Sequence, residues 1–158
     1  MKKTLLIANR GEIAVRLAAT ARDQGYAVVT VYPEDDATCA HVREGDASVL
    51  LPGIGAAAYL DAEAVIKAAV EAGATALHPG YGFLSEQSHF AEACEAAGIA
   101  FVGPTPAQLA VFGNKAGAKE IAKACNVPLV PGTEGATDLD AALAFQAQHP
   151  DLNLMVKA

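Results

Sequence analysis

Apolar and polar positions alternate along this chain in a regular way. Short apolar runs bounded by turn residues recur at Thr4–Ala8, Ala27–Tyr32, Ser48–Leu51, Thr75–His78 and Ala100–Val102. Each has the length of a strand, and each is short, apolar and bounded by turn residues, as strands buried on both faces are. Between them the apolar period changes to that of a helix. In Gly11–Gln24 the stripe is Ile13, Ala14, Leu17, Ala18 and Ala21, and Gly25 closes it. In Asp61–Ala72 the aspartate suits an N-cap, the stripe is Ala62, Val65, Ile66, Ala69 and Val70, and Gly73 ends it. Phe90, Ala93, Cys94 and Ala97 repeat the pattern before Gly98. Strands alternating with helices predict an α/β fold, an open parallel Rossmann-like sheet covered on both faces. Right-handed crossovers then put a functional crevice at the carboxyl ends of the strands.

The pattern changes after Gly103. Thr105 followed by Pro106 reads as an N-cap with proline at the first helical position, opening a helix to Phe112. Asn114 suits the cap of a further helix carrying Ala118, Ile121, Ala122 and Cys125 on one face. Val127–Pro131 is a proline-bounded link, Asp138 caps a last helix that His149-Pro150 stops, and Leu154–Lys157 reads as a new strand. That strand has nothing after it to pair with, so the expectation is a domain over 1–113 and the truncated beginning of a second over 114–158.

Composition narrows the class. The 158 residues are 53% hydrophobic and 18% charged, which supports a packed core rather than disorder. No apolar run approaches the roughly 20 residues of a membrane-spanning helix, and Asn9-Arg10-Gly11-Glu12 interrupts the opening apolar stretch too soon for a signal peptide. A cytoplasmic protein is expected, with no membrane partner. A net charge of -7 argues against nucleic acid, whose nonspecific binding needs a basic surface. Cys39, Cys94 and Cys125 lack paired spacing, which favours buried reduced thiols over a metal or disulfide framework.

Among the motifs, Gly53-Ile54-Gly55-Ala56-Ala57-Ala58 fits the dinucleotide fingerprint formally, with Ala last. The expected N-cap at Asp61 lies downstream and Pro52 intervenes, so the segment reads as a loop rather than a cofactor site. Asn9-Arg10-Gly11-Glu12 joins the first strand to the first helix, and spacing alone reads it as a corner with Arg10 paired to Glu12. His78-Pro79-Gly80-Tyr81-Gly82-Phe83-Leu84-Ser85-Glu86 follows the fourth strand with glycines, aromatics and a carboxylate in one turn. It suits a ligand-lining loop and equally a rigid connection. Lys115, opening a helix, and Lys157, inside an apolar strand, are either solvated or reach towards phosphates. His41, His89 and His149 stand alone and read as surface or helix-end residues.

Ile7–Ala14, His78–Glu86, Phe101-Val102-Gly103-Pro104 and Gly113-Asn114-Lys115 together closely resemble the N-terminal part of biotin carboxylases, the ATP-dependent components of acyl-CoA, pyruvate and urea carboxylases. The resemblance runs through the whole chain in order. It implies a pre-ATP-grasp domain followed by the start of an ATP-grasp domain. The activity implied is that of a ligase using MgATP and bicarbonate, through carboxyphosphate, to carboxylate biotin on a carrier domain. By matching position, Lys115 and Lys157 are the implied ATP-contacting lysines, while Tyr81 and Gly82, with Glu86 nearby, are the implied biotin-facing wall. The family commonly has Asp where this chain has Asn114. The glycine-rich lid, the metal-binding glutamates and the activating arginines of the family would lie beyond Ala158, so no catalytic set and no metal ligand is assigned here, and the piece alone is expected to be inactive. Implied partners are a biotin carboxyl carrier domain, a carboxyltransferase component and a second copy docked through the first helix at Arg16. The alternatives are another ATP-grasp ligase and a noncatalytic docking or assembly module. The acceptor that finally takes the carboxyl group is not written in this half.

Overall fold

The computed structural model describes residues 3–133 and 137–155, apart from the side chains of Lys115 and Ala116. The chain divides into two compact units, Met1–Gly113 and Asn114–Ala158.

The first unit is built on five parallel strands, β1 Thr4–Ile7, β2 Ala27–Tyr32, β3 Ala47–Leu50, β4 Ala76–His78 and β5 Ala100–Phe101, in the spatial order β3-β2-β1-β4-β5. Helices α1 Gly11–Asp23, α2 Ala40–Arg43, α3 Gly55–Ala58, α4 Ala62–Glu71, α5 Ser88–Ala96 and α6 Pro106–Phe112 connect and follow them. A 3-10 turn, Glu34–Asp36, leads out of β2. Successive residues of β1 point to opposite faces and are apolar on both. Leu5 and Ile7 pack with Ile13, Ala14, Leu17, Ala18 and Ala21 of α1. Leu6 and Ala8 pack on the other side with Val65 and Ala69 of α4 and Phe90 and Cys94 of α5. Fully burying a side chain such as Leu6 or Phe90 contributes roughly 1.5–3 kcal/mol. The α1 stripe read from the sequence is the set of five residues that α1 buries. In α4 the buried set is Val65, Ala68 and Ala69, and Val70 lies 56% exposed.

The helix starts follow local chemistry. Asp61 accepts from the N–H of Ala64 at 3.0 Å. Thr105 and Gln108 form a reciprocal capping box with Pro106 at the first helical position. In the second unit Asn114 Oδ1 accepts from the N–H of Gly117 at 3.3 Å at the start of α7, Lys115–Ala124, and Asp138 from that of Ala141 at 2.8 Å, opening α8, Leu139–Gln148. Each such cap contributes about 1 kcal/mol.

Three local expectations change. Gly53–Ala58 is not wholly a loop, since Gly55–Ala58 closes one helical turn. Leu154 and Met155 carry no strand pairing and are exposed, and the rest of that expected strand lies outside the described residues. Of the three thiols only Cys94 is buried; Cys39 is half-buried and Cys125 exposed. Among the described residues no helix is long and apolar enough to cross a membrane.

Candidate functional site

Strand order reverses beside β1: β2 lies on one side of it and β4, two crossovers later, on the other. The loops leaving β1 and β4 therefore flank the switch point, where open parallel sheets form crevices. The two strands run in register, Ile7 beside His78, and the N–H of Ala8 donates to the His78 carbonyl at 2.9 Å. Both loops thus start from one rigid ledge.

Asn9 joins them. Its side chain is buried, and Nδ2 donates to the carbonyls of Pro79 at 2.7 Å and Tyr81 at 2.9 Å, while Oδ1 accepts from the N–H of Arg10 at 2.9 Å. Two carbonyls that the β4 loop turns inward are thereby satisfied by a residue about seventy positions earlier. Gly80 permits the approach. Its φ is +69°, and a Cβ there would sit 2.5 Å from Asn9 Nδ2. The N–H of Gly80 donates to His78 Nδ1 at 3.0 Å, which fixes that nitrogen as an acceptor and puts the ring proton on Nε2. Burial, and then the nearby charge of Arg16, push the His78 pKa down, so the ring stays neutral.

Above this clamp, Tyr81 and Gly82 are presented outward. Tyr81 is 63% exposed, and its hydroxyl donates to Glu12 Oε1 at 2.8 Å. That hydrogen bond, with the charge of Glu12, pushes the phenol pKa up. Gly82 has φ +67° and open space where a side chain would stand. Glu86 is exposed at the far end of the same loop. The corner is therefore not an Arg10–Glu12 pair: Glu12 takes Tyr81, and Arg10 turns the other way.

Arg10 Nη2 lies 2.7 Å from Oδ1 of Asp36, a carboxylate buried in the 3-10 turn after β2. Asp36 Oδ2 accepts from the Tyr59 hydroxyl at 2.8 Å, and the Cys39 thiol points at Oδ1 from 3.5 Å. Burial and the contact with Asp36 push both the Tyr59 phenol and the Cys39 thiol up, so each stays protonated. His41, expected at the surface, is fully buried, with Nε2 3.2 Å from the Tyr59 oxygen. The phenol proton is committed to Asp36, so Nε2 is the protonated nitrogen of a neutral ring, and burial pushes its pKa down. Tyr59 also stacks on Phe83, with centroids 5.2 Å apart and an interplanar angle of 28°. Its ring lies under the Arg10 guanidinium, 5.6 Å from centroid to Cζ.

Asp36 and Tyr59 were not singled out from the sequence, and His41 was named there only as a surface or helix-end residue. The only hint was position: Asp36 and His41 follow shortly after a strand at its carboxyl end. Of the residues singled out, Tyr81, Gly82 and Glu86 share one loop. Lys115 opens α7 in the other unit, and its side chain, like Lys157 as a whole, lies outside the described residues. In that second unit Lys119 and Lys123 line a small pocket with Leu129–Thr133, and the Lys119 ammonium donates to the Thr133 carbonyl at 3.2 Å.

The glycine fingerprint at Gly53 is occupied by the chain itself. Both carboxylate oxygens of Asp35 accept from the N–H of Gly55, at 2.9 and 3.0 Å. An anion-seeking N–H is answered internally, so this donor is not open to a pyrophosphate.

Comparison with known proteins bears on the same residues. The family model for the biotin carboxylase N-terminal domain matches residues 1–109. The chain is 44% identical over 154 residues to the mitochondrial methylcrotonoyl-CoA carboxylase subunit alpha of Oryza sativa, covering 97% of this chain and 21% of that protein. It is 44% identical over 161 residues to the chloroplastic biotin carboxylase 2 of Populus trichocarpa, covering 98% and 30%. The biotin carboxylase domain of a single-chain bacterial carboxylase superposes with a TM-score of 0.90 at 48% identity, over 98% of this chain and 36% of that one. The corresponding domain dimer of Hydrogenobacter thermophilus 2-oxoglutarate carboxylase, solved with MgADP, ADP and bicarbonate, gives 0.86 at 40% identity, over 92% and 32%. The chain spans less than a third of the length of these curated relatives.

Proposed function

The chain belongs to the biotin carboxylase family, and on that premise we propose that it forms the front of an ATP- and bicarbonate-dependent ligase that carboxylates biotin on a carrier domain. The observation that carries this reading is the Asn9 clamp, which presents Tyr81 and Gly82 at the switch point of the sheet. Tyr81 offers a flat face to a bicyclic ligand, and Gly82 leaves room for its ring edge. The hydrogen bond to Glu12 uses the phenol proton and fixes the ring. Glu86, at the end of the loop, would line the outer wall.

Lys115 and Lys157 would contact the phosphates of ATP as cations. When bound, MgATP supplies the phosphoryl group that activates bicarbonate. Among the described residues no three His, Cys, Asp or Glu side chains come together as a metal site. The free thiols suit the cytoplasm. The carrier domain and a carboxyltransferase component are the proposed partners. Arg16, exposed on α1, is the proposed contact for a second copy.

The test is bicarbonate-dependent ATP turnover with free biotin, measured on the 158-residue chain and on the full-length protein. Turnover by the full-length protein and none by the short chain is expected. Biotin-independent ligase activity in the full-length protein would point to another ATP-grasp enzyme, and binding of a carrier domain without nucleotide to a docking module.

A further inference from the structure

We infer that Asp36 is the positioning residue of the crevice: one buried carboxylate holds Arg10 on the β1 loop and, through Tyr59, Phe83 on the β4 loop. This rests on the reading of Tyr81 and Gly82 as the biotin-facing wall.

Two features of the geometry lead here. First, Asp36 is 3% exposed, and a buried carboxylate is costly unless its oxygens are filled. Both are: Oδ1 takes Arg10 Nη2 and the Cys39 thiol, and Oδ2 takes the Tyr59 hydroxyl. The donors come from the β1 loop, the turn after β2 and the residue following α3, so one group ties three segments that are distant in sequence. Second, Phe83 has φ +43°, a left-handed backbone that costs an aromatic residue about 1–2 kcal/mol. Such a conformation persists only where its surroundings hold it. Phe83 is held by its stack on Tyr59 from one side and by buried Leu84 from the next position. It immediately follows Gly82, so the Tyr59 ring determines where the Tyr81-Gly82 wall stands.

His41 completes the device. With Nε2–H donated to the Tyr59 oxygen, the phenol has one remaining use, donation to Asp36. Tyr59 then acts at once as donor to Asp36 and as acceptor from His41. The arrangement belongs to neither loop's outward face; it sets the separation and orientation of the β1 and β4 loops.

The test uses the full-length protein with Asp36→Asn and Tyr59→Phe. The asparagine keeps the shape but places an amide donor against Arg10 or Tyr59. The phenylalanine keeps the stack on Phe83 and removes the hydroxyl, and with it the contacts to Asp36 and His41. Expected are rises in KM for free biotin of about tenfold and threefold respectively, with kcat within about twofold and KM for ATP unchanged. Loss of kcat at unchanged KM for biotin, or wild-type values in both, would overturn the inference. If Asp36→Asn does not fold, Tyr59→Phe decides alone. Hydrogen exchange by mass spectrometry separates this inference from the functional reading. If the wild-type protein does not turn over with biotin, that reading fails. The positioning claim then stands only if segments 9–14 and 78–86 both exchange about tenfold faster in Tyr59→Phe. Faster exchange confined to the neighbourhood of residues 36 and 59 would sink it.

Discussion

Gly53–Ala58 and His78–Glu86 both leave the carboxyl edge of the sheet, and both carry glycines at positive φ. In the first, the free N–H of Gly55 is taken by Asp35, and the turn closes on itself. In the second, the inward carbonyls of Pro79 and Tyr81 are taken by Asn9, while Tyr81 and Gly82 are turned outward. The first matches a ligand-binding motif by spelling and the second does not. What separates them is which backbone groups the chain has already satisfied and which faces it leaves open.

Alanine at a glycine of each turn should divide them most sharply. Gly80→Ala adds a Cβ 2.5 Å from Asn9 Nδ2 on top of an unfavourable φ, for about 2–5 kcal/mol of lost stability. Gly53→Ala meets only Ala58 Cβ at 3.8 Å, so the backbone term alone remains, about 1–2 kcal/mol. Urea unfolding midpoints of the two variants check this, and equal losses would mean that the Asn9 clamp does not distinguish the turns. Next in size, Asp35→Ala removes the acceptor at Gly55, and about 1 kcal/mol should go, with the β4 loop undisturbed. A shift in Tyr81 or Gly82 amide resonances in that variant would show the two turns to be coupled.

The smallest effect is a slope. His78 and His41 both have folded pKa values below the usual imidazole range. The native state therefore binds fewer protons than the unfolded chain once pH falls below about 6.5. Their contribution is present above that pH and is lost as pH drops towards 5. His78→Asn, which keeps an acceptor near the Nδ1 position, should make stability less steep in pH across this window. An unchanged slope in unfolding free energy between pH 7 and 5 would show that His78 is not the group titrating.

Much of the fold was legible because it rests on local signals. The five strands, the α1 stripe and the caps at Asp61, Thr105 and Asp138 are consequences of period and of side chains reaching their own backbone. The loop of Tyr81 and Gly82 stood out because glycines and aromatics cluster in one turn after a strand, a pattern that suits a ligand-lining loop and a rigid connection equally. The Asp36 network was not, because its members lie 26, 23 and 18 residues from one another in the pairs Arg10–Asp36, Asp36–Tyr59 and His41–Tyr59. Nothing in local pattern distinguishes Asp36, which is buried, from Asp35, which holds Gly55 at the surface. Arg10 was assigned to Glu12 by proximity, and tertiary contacts gave each a different partner. His41 was misplaced for the same reason: a lone histidine on a short helix carries no periodicity to say which way it faces.

The clamp at Asn9 also has a schedule. Its partners lie 70 and 72 residues downstream. A ribosome adds roughly 5–20 residues each second, so Asn9 leaves the assembly line several seconds before the carbonyls it will hold have been made. β1 and β2 can pair in that interval, but the crevice between the β1 and β4 loops has only one of its sides. The other side becomes available only when Ala76–Tyr81 has been made, and until then the Asn9 amide keeps its hydrogen bonds to water.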